Sequence, residues 1–157
     1  MTTLKIHGRA TSSNVQAVMW LVAELGLEHQ RLDVGGAFGG TDTPAFLQMN
    51  PMGKVPVLQD GSLSLFESQA IMRYLAAQHS AEALWPSAPA ARGQVDQWME
   101  WSKTTIAPAV IYKVFWQLVR TSARDRDWAR LNEGIAELKR LMAIADAQIG
   151  ETGWLAG

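Results

Sequence analysis

The first half of the chain alternates short strand-like and helix-like patterns of apolar residues, and the second half is helical throughout. Leu4 to Gly8 predicts a short β-strand. Ser12 or Ser13 then offers an N-cap to the run Val15, Val18, Met19, Val22 and Leu25, whose steps of three and four predict a helix that Gly26 stops. His29 to Val34 predicts a second strand. Gly35 to Gly40, with four glycines, predicts a mobile loop leading to a short helix at Thr43 to Met49. Val55 to Leu58 and Ser62 to Leu65 flank Gln59-Asp60-Gly61, whose Asp-Gly pair signals a tight hairpin turn, and a helix follows from about Glu67 to Gln78.

Beyond the Trp85-Pro86-Ser87-Ala88-Pro89 segment, Val95, Trp98, Ser102, Thr105, Ala109 and Tyr112 recur at helical spacing, with Pro108 placed to kink or interrupt the helix. From about Asp125 a second helix carries Leu131, Ile135, Leu138, Met142, Ala145 and Ile149 as one apolar stripe. There is no internal repeat and no low-complexity tract. The pattern divides the chain into an α/β domain over residues 1–79, a linker over 80–88 and an all-α segment over 89–157. A βαβ unit followed by a ββα unit, in the order βαβαββα, suggests a thioredoxin-like domain beside a helical one.

Composition narrows the chemistry. At 157 residues, 48% hydrophobic and 18% charged, the chain buries a real core, and a net charge of −1 gives no reason to expect a nucleic-acid partner. The start lacks a charged region followed by a continuous apolar stretch, which reads against a secretory signal. The longest apolar stretch, Ile106 to Val119, is broken by Lys113 and too short to span a bilayer, so no membrane partner is expected and a cytoplasmic location follows. The absence of cysteine excludes disulfides, CxxC redox chemistry, thiolate metal sites and a cysteine nucleophile. His7, His29 and His79 are scattered without ligand spacing, so no metal site is expected.

Asn50-Pro51-Met52-Gly53-Lys54-Val55-Pro56, followed by Phe66-Glu67-Ser68-Gln69-Ala70-Ile71, resembles the glutathione-binding signature of the cytosolic glutathione transferases. Met1 to Gln78 is similar to their whole N-terminal domain, and Leu84-Trp85-Pro86 to their interdomain linker. Arg9-Ala10-Thr11-Ser12-Ser13-Asn14-Val15-Gln16 resembles the nucleophile-activating loop of the serine-type bacterial and theta-like branches. The resemblance implies that Val55 pairs with the cysteinyl unit of glutathione and that Pro56 follows a cis peptide bond. A strand-edge proline is the alternative for Pro56. Glu67 and Ser68 open a helix, where free amides and the dipole favour an anion. Ser68 would take the γ-glutamyl carboxylate and Glu67 its ammonium, the alternative being a simple cap. Lys54 would match the glycyl carboxylate, or else stand as a solvated lysine.

Any sulfur nucleophile must arrive with the ligand. A free thiol with a pKa of about 8.5 is only a few per cent ionised at neutral pH. A charge-assisted hydrogen bond, about 1.5–3 kcal/mol, lowers that value by about one to two units. Ser12 is the position matching the family's activating serine, with Ser13 as runner-up and Asn14 as an auxiliary donor. The alternative is that these residues only cap the helix. The expected activity is transfer of glutathione, as co-substrate, to a small apolar electrophile lying near Trp98, Trp101, Thr105 and Tyr112, aromatic positions that equally suit a core. Two other readings stay open: a transferase-like binding or assembly module with weak turnover, and a glutathione-dependent peroxidase. The family normally continues past Trp154-Leu155-Ala156-Gly157 into a buried core helix, so an incomplete helical domain and a homodimer are expected. Where theta-like members often carry a basic residue near the sulfur, this chain has Thr104-Thr105-Ile106-Ala107.

Overall fold

The computed structural model describes residues 3–157, and the chain forms two compact units, one through Pro86 and one from Ser87. The first unit runs β1 (Leu4–His7), α1 (Ser13–Glu24), β2 (His29–Leu32), α2 (Pro44–Met49), β3 (Val57–Asp60), β4 (Leu63–Phe66) and α3 (Ser68–Gln78). The sheet order is β2-β1-β3-β4, with β1 parallel to β2 and antiparallel to β3, and β3 antiparallel to β4. This is the thioredoxin-like βαβαββα arrangement.

Alternation along β1 sorts its side chains. Leu4 and Ile6 turn into a core with Val18 and Val22 of α1, Leu58 of β3, and Ile71 and Leu75 of α3. His7 lies on the other face, edge-on to buried Phe46 of α2 at 6.5 Å, and shares a 2.6 Å hydrogen bond with Gln59. His29 is spent locally, with Nδ1 2.9 Å from the Leu27 carbonyl.

The strands begin and end later or earlier than their apolar runs. β3 starts at Val57 rather than Val55 because Pro56 has no N–H for the ladder. The hairpin loop is Gly61-Ser62 rather than Gln59-Asp60-Gly61, because Gln59 and Asp60 still pair with β4, and Gly61 turns the chain at φ +58°. β2 stops at Leu32, yet Gly8 N–H still donates to Leu32 O (2.8 Å) and Arg9 N–H to Val34 O (3.0 Å). The glycine-rich segment, expected as a mobile loop, folds into a 3₁₀ turn at Gly36–Phe38, and the Gly35 N–H donates to the Gly39 carbonyl at 2.7 Å.

In the second unit, α4 (Pro89–Trp101) runs on through wide five-residue turns at Ser102–Ile106 and Ala109–Arg120. Pro108 neither breaks nor sharply ends this helix and keeps helical dihedrals. Its missing N–H falls where the ladder has already widened, as the Ala107 N–H bond to Ser102 O shows. α5 (Trp128–Thr152) starts at Asp127, whose carboxylate accepts the Arg130 amide at 2.9 Å, and ends at Gly153 in the left-handed conformation. It packs along the Ala109–Arg120 segment. Its buried face is Leu131, Gly134 and Leu141, while Met142 and Ile149 of the expected stripe are exposed. The cause is Gly134, where an added Cβ would stand 2.5 Å from Lys113 Cβ, so that only glycine lets the helices approach and rotates the contact onto its own face. Lys113 closes the pairing by donating to Glu133 and Glu137 at 2.8 Å each.

Candidate functional site

At the end of the sheet where β1 finishes and β3 begins, a cavity of about 250 Å³ is lined by Arg9, Ser12, Gly35, Gly36, Thr41, Gly53, Lys54 and Val55. A larger hollow of about 510 Å³ at the opposite end, between Thr3, Gly26, Glu28 and His79, contains none of the expected site residues. The smaller cavity therefore joins three of them, Ser12, Lys54 and Val55, from segments 42 residues or more apart in sequence.

Ser12 occupies the N-cap position of α1, and its carbonyl accepts the Gln16 amide at 2.9 Å. Its side chain, however, makes no capping hydrogen bond, which departs from the cap expected there. Among the described residues its hydroxyl has no protein partner, although the residue is only 9% exposed. Ser13 and Asn14, in the first turn, are exposed and do not line the cavity. Among the described residues the amides of Ser13, Asn14 and Val15 also lack protein acceptors, leaving the positive end of the helix dipole at the cavity wall.

The opposite wall, Gly53 to Val55, is braced by Asn50, which does not itself line the cavity and is buried to 3% exposure. Its amide nitrogen donates to Lys54 O at 2.7 Å and its oxygen accepts the Met52 amide at 3.0 Å, shaping the Pro51–Val55 loop. Asn50 stood in the signature as one letter among seven. Its structural part follows from satisfying both ends of a buried amide, which spacing does not show. The Val55–Pro56 peptide is cis. Among the described residues, neither backbone polar group of Val55 has a protein partner, so its N–H and C=O remain open to an extended ligand.

The loop carrying Ser12 is tied from below. Arg31 donates to Gly8 O at 2.8 Å and pairs with Asp33 through two hydrogen bonds, while the Ala10 backbone also serves Asp33. The Arg31 hydrogen bond holds the Asp33 carboxyl below its ordinary value. A lowered folded pKa means that this tie is complete above about pH 4 and is lost as pH falls through the Asp33 value.

Glu67 and Ser68 do not line the cavity itself. The last pair of the β3–β4 ladder at this end of the sheet is Val57 with Phe66, so Val55-Pro56 leads into one strand of that pair and Glu67-Ser68 leads out of the other. The two clusters thus adjoin along one sheet end. Ser68, 4% exposed, opens α3, and Glu67 precedes it at φ +68°, ψ +113°, a conformation outside the left-handed well. Such a backbone costs a non-glycine residue about 1–3 kcal/mol and accumulates at ligand sites. Glu67→Gly is expected to raise stability by about 1 kcal/mol by relieving it, net of the entropy of glycine. If Glu67 has the ligand role that the resemblance of its motif implies, Glu67→Gly and Glu67→Gln both lower glutathione affinity about tenfold, and calorimetry with thermal melts checks the pair. Full affinity in either would remove Glu67 from the site.

The four aromatic and hydroxyl positions expected near a second substrate all belong to the second unit. Trp98 stacks edge-on with Trp101 at 5.2 Å and lines a groove with Ala143, Ile144 and Ala147 of α5. Tyr112 is exposed, 5.9 Å from Trp116, and Thr105 is half-buried in the first wide-turn segment. They do not converge on one pocket within that unit. No group of residues able to hold a metal ion occurs among the described residues, and no helix there is long and apolar enough to cross a membrane.

A thioredoxin-like domain whose cis-proline edge faces a free serine hydroxyl at a helix start, followed by a helical unit, defines the glutathione transferase class of architecture. Residues 2–77 match the family model for the glutathione S-transferase N-terminal domain. The chain is 37% identical over 156 residues to glutathione S-transferase GstB of Escherichia coli K12, covering 98% of this chain and 74% of that one. It is 31% identical to glutathione S-transferase 4 of Zea mays, covering 98% and 70%. The theta class glutathione S-transferase of Xanthomonas axonopodis pv. citri, solved with glutathione bound, superposes at a TM-score of 0.92 with 46% identity, over all of this chain and 75% of that one. The chain belongs to the glutathione S-transferase family and is a glutathione transferase.

Proposed function

We propose that this chain binds glutathione along the Val55 edge and stabilises its thiolate at Ser12 for attack on a small apolar electrophile. Ser68 and the start of α3 receive the γ-glutamyl carboxylate, Glu67 its ammonium, Val55 the cysteinyl backbone and Lys54 the glycyl carboxylate. The observation that carries the reading is the Ser12 hydroxyl, nearly buried, unused by its own helix and facing the cavity that Val55 and Lys54 share. A serine serving only as a cap would bond the first-turn amides.

The hydroxyl donates to the sulfur and the dipole of α1 adds to the same charge, so the bound thiol ionises near neutral pH. The thiolate electron pair then forms the sulfur–carbon bond. A leaving group departs with its own pair or, in addition to a double bond, the carbon anion takes a proton from solvent. Ser13 and Asn14 stand outside the cavity, which favours Ser12 over both.

The thiolate absorbs in the ultraviolet, so a pH titration of the protein–glutathione complex reads the proposal directly. Bound glutathione should ionise about one to two pKa units below the free thiol. A bound thiol titrating like the free one would reduce the chain to a binder. A second copy of the chain is the proposed partner, consistent with the exposed apolar face of Tyr112, Trp116 and Val119, and light scattering reads the assembly directly.

A further inference from the structure

The glutathione cavity contains a cation for which neither the signature nor the binding scheme above has a use. Arg9 lines it with Ser12 and Lys54, its Cδ and Nε lying against Gly36 so closely that a Cβ there would stand 3.0 Å from each. The side chain is half-buried, and among the described residues no hydrogen bond or ion pair engages its guanidinium. Lys54 is likewise without an ion pair. No acidic residue lines the cavity. Asp33, the acid nearest on β2's exit, is already paired with Arg31, and Asp42, beside the lining Thr41, is exposed and makes no ion pair.

Two uncompensated cations therefore face one small space. A cavity of 250 Å³ has the volume of a sphere about 4 Å in radius, so charges on its wall act on its contents at short range. Resting on the reading that glutathione occupies this cavity, the ligand brings two net anionic centres to it, the glycyl carboxylate and the ionised sulfur. The γ-glutamyl end is a zwitterion and lies toward Ser68. If Lys54 matches the carboxylate, the sulfur is left for Arg9, which lies in the Ser12 loop and whose carbonyl accepts the Ser12 amide at 3.2 Å.

We propose that Arg9 is a second thiolate-stabilising residue, a fixed positive charge that lowers the pKa of bound glutathione together with the Ser12 hydroxyl. A unit charge on the wall of a small, partly open cavity shifts the ionisation of a group inside it by roughly one pKa unit. The effect is on ionisation, not on grip, because the neutral thiol gains little from a nearby cation.

Arg9→Met keeps the unbranched stem against Gly36 and removes the charge, and Arg9→Lys keeps the charge. Both are compared with the parent and with Ser12→Ala by ultraviolet titration of bound glutathione. Affinity is measured for S-methylglutathione, which has both carboxylates but no ionisable sulfur. The expected result is a bound-thiol pKa raised by about one unit in Arg9→Met, largely restored in Arg9→Lys, with S-methylglutathione affinity within twofold of the parent. A roughly tenfold loss of S-methylglutathione affinity with an unmoved thiol pKa would assign Arg9 to the carboxylate and overturn the proposal, as would no change in either quantity. If the parent's own bound thiol titrates like free glutathione, the Ser12 reading fails and this one with it. A lowered parent value that responds to Ser12→Ala but not to Arg9→Met overturns the Arg9 inference alone. Should Arg9→Met melt early, Arg9→Lys at rising salt gives the same answer. A charge effect in this partly open cavity weakens as salt rises to about 0.5 M, and a bound-thiol pKa in Arg9→Lys that does not move with salt overturns the proposal.

Discussion

Ser12→Ala is expected to lower turnover with a model electrophile about tenfold near neutral pH while leaving the melting temperature unchanged. The two halves of that outcome come from one observation, that the Ser12 hydroxyl contributes nothing to the start of α1. An ordinary N-cap serine replaced by alanine costs about 0.5–2 kcal/mol, which a domain of this size registers as several degrees. With no capping bond to lose, the change should stay within about 0.5 kcal/mol. The loss in rate follows from ionisation. If the hydroxyl lowers the thiol pKa by one to two units, its removal takes most of the thiolate away at pH 7, and the lost rate should return as pH rises above about 9. Measured against pH, the rate of the variant should thus approach the parent at the alkaline end. A stability loss without a rate loss would reverse the assignment and make Ser12 a cap after all. Ser13→Ala, at an exposed position off the cavity, serves as the matched control.

How far the sequence reaches is visible at that same serine. Its position was legible from the loop that resembles the family's, and the helix behind it from the spacing of Val15, Val18 and Val22, all fully buried. Whether its hydroxyl is turned toward its own helix or left free is a matter of one side-chain rotation, which no periodicity encodes. The hairpin was legible because Asp60-Gly61 demands a tight turn, but β3 begins at Val57 rather than Val55 because Pro56 withholds a donor. Arg9 and Asn50 stand within the motifs without evident roles, since an unpaired cation at the cavity and a doubly satisfied buried amide behind it are properties of the assembled site. In the second unit, the stripe on α5 gave the helix but not its face. The face is chosen by a close approach at Gly134, which a hydrophobic pattern counts as a gap.

The same kind of close approach joins fold to function at Gly8, and Gly8→Ala carries the largest expected cost to stability. A Cβ at Gly8 would stand 2.4 Å from Val15 Cγ2 and 3.2 Å from Val55 Cβ. Val15 is fully buried and cannot give way outward. Gly8 itself cannot retreat, because its N–H is held by Leu32 O and its carbonyl by Arg31, each at 2.8 Å. Overpacking of this kind costs about 1–3 kcal/mol, a fall in melting temperature of the order of 10 °C for the first unit. Whatever strain is not absorbed by Val15 falls on Val55, the residue proposed to pair with the cysteinyl backbone, so affinity for S-methylglutathione should drop about tenfold as well. Gly26→Ala provides the comparison, since Gly26 has a positive φ of +61° but nothing within 4 Å. It should cost only the backbone term, about 1–2 kcal/mol, and leave affinity alone. If Gly8→Ala loses stability but binds as the parent does, the position of Val55 is not what sets binding, and the backbone pairing proposed for it fails.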